Sequence, residues 1–232
     1  AKGIHVFIEK PIALTTEVGK RMVRAAEENH IITRVGFHMR QGVAVKKLKQ
    51  MLVEGKTGKP VLFHGHYSCN SLHTPWWIQV DLCGGQIFEQ AIHVYDMCRH
   101  LMGDPKYAVG IMNNLCHNDV YGYYVEDVSA SVAGFTNGAI ASITANNCEI
   151  PGLWIGSFKA VYEKLTVDFT DHNHAVFTYT GEDPYVDEVE EFLACIQEGK
   201  DSSCNIKEGY KSLCYVEKVV ESAKMDGTKV PV

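Results

Sequence analysis

The 232-residue sequence contains no Gly-x-Gly-x-x-Gly, no Gly-x-Ser-x-Gly and no Walker loop. No dinucleotide-phosphate turn, serine-hydrolase elbow or nucleoside-triphosphate cradle can therefore be assigned from motifs. Its eight cysteines include no Cys-x-x-Cys pair and are scattered over more than half of the chain. That spacing fits neither a disulfide framework nor a structural zinc site, and it predicts reduced cysteines in a cytoplasmic protein. No basic run exceeds Lys46-Lys47 and the net charge is −6, which argues against a nucleic-acid or anionic-membrane partner. No apolar run approaches the ~18 residues of a membrane span. No charged leader with a small-residue cleavage site opens the chain, so no signal peptide is expected.

What is present is a globular composition, 46% hydrophobic and 22% charged. Gly3 to Ile8 reads as a short buried strand ended by Glu9-Lys10-Pro11. Thr15 or Thr16 can cap a helix running to about Asn29, and Ile31 to Phe37 is a second strand. Strand, helix, strand at this spacing is a βαβ unit, which normally belongs to a larger parallel sheet.

From Pro60 onward the pattern changes. Val61 to Cys69, Tyr123 to Thr136, Ala139 to Asn147, Trp154 to Ala160, Lys164 to Phe169 and Ala175 to Thr180 read as strands. Turn signals such as Asn137-Gly138 suggest antiparallel neighbours. Helices are expected at Val43 to Glu54, Gln86 to Met102, Tyr185 to Gln197 and Lys207 to Met225. The expected class is α+β: an open, mostly antiparallel sheet with helices on one face, preceded by a βαβ remnant. Residues 1–40 read as the trailing edge of an α/β domain and 41–232 as α+β.

The stretch from Gly84-Gly85 to Asp96 holds the most chemistry. On an α-helix Glu89, His93, Asp96 and His100 fall in one narrow stripe. Glu89 and His93 are then neighbours at i and i+4, where a carboxylate can orient an imidazole and raise its basicity for acid–base work. The competing reading is the solvated face of an amphipathic helix. Gly84-Gly85 permits close backbone approach, and Pro75-Trp76-Trp77 offers an aromatic wall or simply core. Lys10, between a strand end and a proline, sits where α/β sheets bind ligands, although an exposed solvating lysine is the ordinary alternative. His64-x-His66 and His172-x-His174 could contribute to a metal site, but no His-Glu-x-x-His helix accompanies them and no metal is expected.

Glu9-Lys10-Pro11, then Val35-Gly36-Phe37 with Arg40, then Gly84-Gly85 leading to His93 and Asp96, occur in an order that resembles the glucose–fructose oxidoreductase and inositol dehydrogenase (Gfo/Idh/MocA) family. The resemblance, which extends to the closing Thr228 to Val232 segment, implies a Rossmann domain followed by a substrate domain on an open sheet, with residues 1–40 the trailing part of a dinucleotide-binding domain and 41–232 a substrate-binding and oligomerisation domain. It implies that this chain begins late in the Rossmann domain, that roughly the first hundred residues are missing, and that the chain alone is inactive. It implies NAD or NADP as cofactor, with Glu9, Lys10 and Pro11 near it, and hydride transfer from a sugar or polyol hydroxyl. By the same resemblance His93 is the general base, Lys10 steadies the same oxygen, and Glu89 positions His93 or contacts substrate. Glu89 stands where many members have Asp. Arg40 and Gln90 would be substrate ligands, Trp76 and Trp77 could wall the pocket, and the Lys10-Pro11 bond would be cis. A homo-oligomer through the open sheet face is expected. The alternative is a non-catalytic cofactor- or sugar-sensing regulator on the same fold.

Overall fold

The computed structural model describes residues 3–71, 74–175 and 183–232. Strands β1 (Val6–Ile8) and β2 (Thr33–Val35) pair in parallel, Val6 opposite Thr33 and Ile8 opposite Val35. Helix α1 (Thr16–Glu28) makes the crossover between them. It begins where the side chain of Thr15 accepts a hydrogen bond from the Val18 amide, satisfying one of the donors a helix start leaves open.

After a short 3-10 turn, His38–Gln41, helix α2 (Val43–Val53) leads into the main sheet. The sheet comprises β3 (Pro60–Cys69), β4 (Pro105–Asn113), β5 (Val128–Phe135), β6 (Ile140–Asn146), β7 (Trp154–Tyr162), β8 (Thr166–Phe169) and β9 (Val230–Pro231), in the order β8-β7-β3-β6-β5-β4-β9. Every pairing is antiparallel except β3 with β6, which run in parallel with Leu62 opposite Ile140 and Ser68 opposite Asn146. The chain between those two strands carries a short α3 (Val80–Cys83), a π turn (Ile87–Ala91), α4 (Ile92–Met102), β4 and β5. Helices α5 (Pro184–Glu198) and α6 (Ile206–Lys224) follow β8.

One face of the sheet is covered by α4, against β3, and α6, against β4. Gly65 makes the first contact possible: a Cβ there would stand 2.4 Å from Val94 Cγ1 on α4. The core runs between these helices and the inward residues Phe63, Tyr67, Ala133, Ala141, Ile143 and Phe158. On the other face Leu62, Ile111, Val132 and Ile140 are exposed. His64 and His66 lie among them, their Nδ1 atoms 2.6 and 2.8 Å from the hydroxyls of Ser142 and Thr144. The histidine pair is thus engaged by its strand neighbours.

The α+β architecture matches the sequence reading, with differences in detail. The strand expected from Tyr123 begins only at Val128, because residues 115–117 and 127 form a hydrogen-bonded loop described below. Strand β4 was not expected. Its inward positions include Ala108 and Gly110, and Gly110 faces Val219 with no room for a side chain. Small buried residues leave no hydrophobic alternation to read. The expected Ala175 to Thr180 strand lies almost wholly outside the described residues, and Ala175 itself is not in a strand.

Candidate active site

Lys10 follows the carboxyl end of β1, and its peptide bond to Pro11 is cis. Its Nζ donates to both the backbone oxygen and Oε1 of Glu89, each at 2.5 Å. Glu89 Oε2 accepts from the Trp77 indole at 2.6 Å. Glu89 therefore gives both carboxylate oxygens to groups other than His93, which corrects the expectation of a Glu89–His93 couple. The cause is backbone geometry: Ile87–Ala91 is a π turn, whose wider coil breaks the i, i+4 stacking of an α-helix. Nor is the stripe a solvated face, since Glu89, His93 and Asp96 are all buried.

The start of the π turn is held from outside. Glu126 is half-buried and accepts the Ile87 amide at 2.7 Å, and desolvation pushes its carboxyl up to about 7. Gly85 lies against it at φ +104, where a Cβ would come within 2.2 Å of Glu126 Oε2. Here only glycine lets the chain approach the carboxylate closely enough.

His93 and Lys10 open onto one cleft of about 380 Å³. Glu9, Gly36, His38, Tyr67, Gln90, Trp154, His172 and Tyr185 share its walls. Tyr67 donates to Gln90 Oε1 at 2.6 Å and accepts from the Trp154 indole. The His38 ring stacks on Tyr185 with centroids 4.5 Å apart and meets the His93 ring edge-on at 4.8 Å. Burial, then the Lys10 cation, hold His93 well below the usual imidazole pKa. Burial and His172 lower His38 to about 4. Both rings are neutral at physiological pH, and among the described residues His93 Nδ1 is buried with no protein partner. A neutral imidazole and an ammonium sharing one cleft can take a proton from a hydroxyl and steady the oxygen left behind.

Of the residues named from sequence, the cleft brings together Glu9, Lys10, Gln90 and His93, with Glu89 behind Lys10. Arg40 is not among them. It is buried and forked onto Asp96, with Nε to Oδ2 at 2.8 Å and Nη2 to Oδ1 at 2.6 Å. Its guanidinium serves to tie the 3-10 turn to α4 rather than to meet a ligand. Trp77 packs in a separate cluster with Cys83, Tyr123 and Val125, while Trp76 is half exposed away from the cleft. The aromatic wall is supplied instead by Trp154, Tyr67 and Tyr185. His38 follows the carboxyl end of β2 as Lys10 follows that of β1, so the rule that singled out Lys10 could have found it. The others come from distant segments and carry no local signal.

Two family profiles match the chain: "GFO/IDH/MocA C-terminal domain" over residues 45–155, and "Oxidoreductase family, NAD-binding Rossmann fold" over residues 1–37. Levoglucosan dehydrogenase of Pseudarthrobacter phenanthrenivorans is 27% identical over 282 residues, covering 95% of this chain and 72% of the relative. The 1,5-anhydro-D-fructose reductase of Ensifer adhaerens is 31% identical over 146 residues, 60% of this chain and 42% of the relative. Among solved structures, levoglucosan dehydrogenase in complex with NADH and levoglucosan superposes with a TM-score of 0.89 at 23% identity, covering 99% of this chain and 74% of the other. WlbA dehydrogenase of Bordetella pertussis, in complex with NADH and UDP-GlcNAcA, gives 0.85 at 23%, covering 99% and 72%. At these identities the structural likeness speaks for the fold.

Proposed function

We propose, starting from the fact that this chain belongs to the GFO/IDH/MocA oxidoreductase family, that it forms the substrate site of an NAD(P)-dependent sugar or polyol dehydrogenase. The observation that carries this reading is the convergence of Lys10 Nζ and the buried, neutral His93 ring on one cleft from separate elements. Relatives named for levoglucosan and for myo-inositol give the substrate class. Residues 1–40 would complete a dinucleotide-binding domain, and 41–232 would bind substrate.

The residues present fit the nicotinamide end of a dinucleotide. A parallel βαβ unit binds ligands beyond the carboxyl ends of its strands, and here Glu9 and Lys10 from β1 and Gly36 and His38 from β2 line the cleft. Glu9, Lys10 and Pro11 would hold that end. When bound, a nicotinamide supplies the carbon that accepts a hydride. The sequence as given has no glycine-rich pyrophosphate loop, so turnover needs a protein that includes one.

The chain's own part in the reaction is to hold a substrate hydroxyl and take its proton. An ammonium has three N–H donors, and Glu89 occupies two of Lys10's, leaving the third for the substrate oxygen. His93, kept neutral by burial, accepts the hydroxyl proton. The Lys10 charge, on a side chain that is itself mostly buried, then stabilises the developing alkoxide. Trp154 offers a flat face on which a sugar ring can lie, and Gln90, fixed by Tyr67, offers a polar contact. In a protein with a complete Rossmann domain, Lys10→Ala and His93→Ala should each lower kcat by about 10²- to 10⁴-fold with the fold intact. Near-normal turnover of a polyol or sugar panel by both variants would refute the assignment.

Two further parts of the reading concern the whole protein. Its eight cysteines are unpaired, which supports a reducing, cytoplasmic setting. The exposed apolar residues on the open sheet face support a homo-oligomer through that face.

A further inference from the structure

Strands β4, β5 and β6 are consecutive antiparallel neighbours, and Val128 pairs with both Asn113 and Asn146. The end of β4, the start of β5 and the end of β6 therefore meet at one end of the sheet, beyond the strand termini. Backbone bonds extend that row by one step, from the Asp127 amide to Asn113 and from the Asn147 amide to Asp127. Three side chains collect just beyond it: Cys116, Asp127 and Cys148. Their two sulfurs and a carboxylate oxygen all lie within 4.8 Å of one another.

The cluster is built rather than incidental. Asp127 is fully buried and its carboxylate accepts the amides of Leu115, Cys116 and His117 at 2.6 to 3.0 Å, folding that loop back over the strand end. Most of those bonds fall on Oδ2. Oδ1 receives only the Leu115 amide, at 2.8 Å, and keeps acceptor capacity. The Cys148 amide is fixed by Asn146 Oδ1 at 3.0 Å and its thiol lies 3.5 Å from the Asp127 backbone oxygen. Cys116 is exposed, so the cluster is open to solvent on one side.

We propose that Cys116, Cys148 and Asp127 form a binding site for a thiophilic divalent d10 cation of the zinc class. Two thiolates select against calcium and magnesium, which take oxygen ligands, while the carboxylate is a normal third ligand for zinc. Tetrahedral coordination with ~2.3 Å zinc–sulfur bonds sets the sulfurs about 3.8 Å apart, within the span the cluster already has. Each thiol loses its proton to the buffer as its sulfur–metal bond forms, so one cation displaces two protons. Three protein ligands leave the fourth position to water. The site needs no oxidant and is independent of the dehydrogenase chemistry. The sequence reading expected no metal because the cysteines lack paired zinc spacing and no His-Glu-x-x-His helix accompanies the histidine pairs; Cys116, Asp127 and Cys148 come together only in the fold.

The test uses the 232-residue chain, fully reduced, titrated with zinc against a chromophoric chelator, and with cobalt(II) as a spectroscopic substitute. One equivalent of zinc should bind, with release of about two protons and a thiolate-to-cobalt charge-transfer band. Cys116→Ser and Cys148→Ser should each weaken binding ~10-fold or more and reduce that band to about half, and the double variant should abolish it, whereas Cys195→Ser should change neither. Cys116 is exposed, so its variant should fold normally, as thermal melts will check. Binding that survives in the Cys116→Ser/Cys148→Ser double variant, or wild-type affinity no tighter than that variant's, would overturn the proposal.

Discussion

Lys10 and His93 divide the labour of the cleft through their surroundings. Glu89 anchors the lysine, so its ammonium is aimed without depending on substrate. Among the described residues His93 has no carboxylate to raise its basicity; burial and the nearby cation favour the uncharged ring. A group held below its ordinary value stays deprotonated to lower pH. For the complete enzyme, kcat/KM should therefore lose activity on the acid side only below the ordinary imidazole value of 6.5. A pH–rate profile checks this, and an acid limb centred above 6.5 would contradict the neutral base. Sequence made the two residues visible because each stands in a short motif. Their relation to Glu89 was hidden, because the π turn leaves no mark on composition.

At the scale of elements, the catalytic helix is positioned by what lies beneath it. α4 rests on β3 at Gly65, and its preceding turn is pinned by Glu126. Gly65→Ala should lift α4 from the sheet. The extra methyl meets Val94 and Phe63, at a cost of about 1–3 kcal/mol in a close-packed interior. Urea denaturation would measure that loss, and an unchanged midpoint would show that the helix is not seated there as described. α1, α2, α5 and α6 were legible within a residue or two because each carries a cap or a terminating glycine together with an apolar stripe. β4 was not, since Ala108 and Gly110 are small for the sake of α6 above them. The Trp77 cluster was equally hidden, as it draws Tyr123 and Val125 from a loop remote in sequence.

For the whole molecule, the open sheet face is where association should occur. Leu62, Ile111, Val132 and Ile140 project there together, and an apolar face shared by identical subunits suits a two-fold interface. Sedimentation at micromolar concentration should give at least a dimer, and Val132→Asp with Ile140→Asp should yield monomers. A strictly monomeric wild type would remove this reading. The parallel pairing of β3 with β6 has a further bearing, on synthesis. β3 ends at Cys69 and its partner starts at Ile140, so a ribosome adding ~5–20 residues per second emits β3 roughly 4–14 s before that partner exists. β7, its neighbour on the other side, emerges later still. Throughout that interval the strand destined for the middle of the sheet has two bare edges. A nascent chain stalled between residues 70 and 140 is the form of this protein most in need of a chaperone.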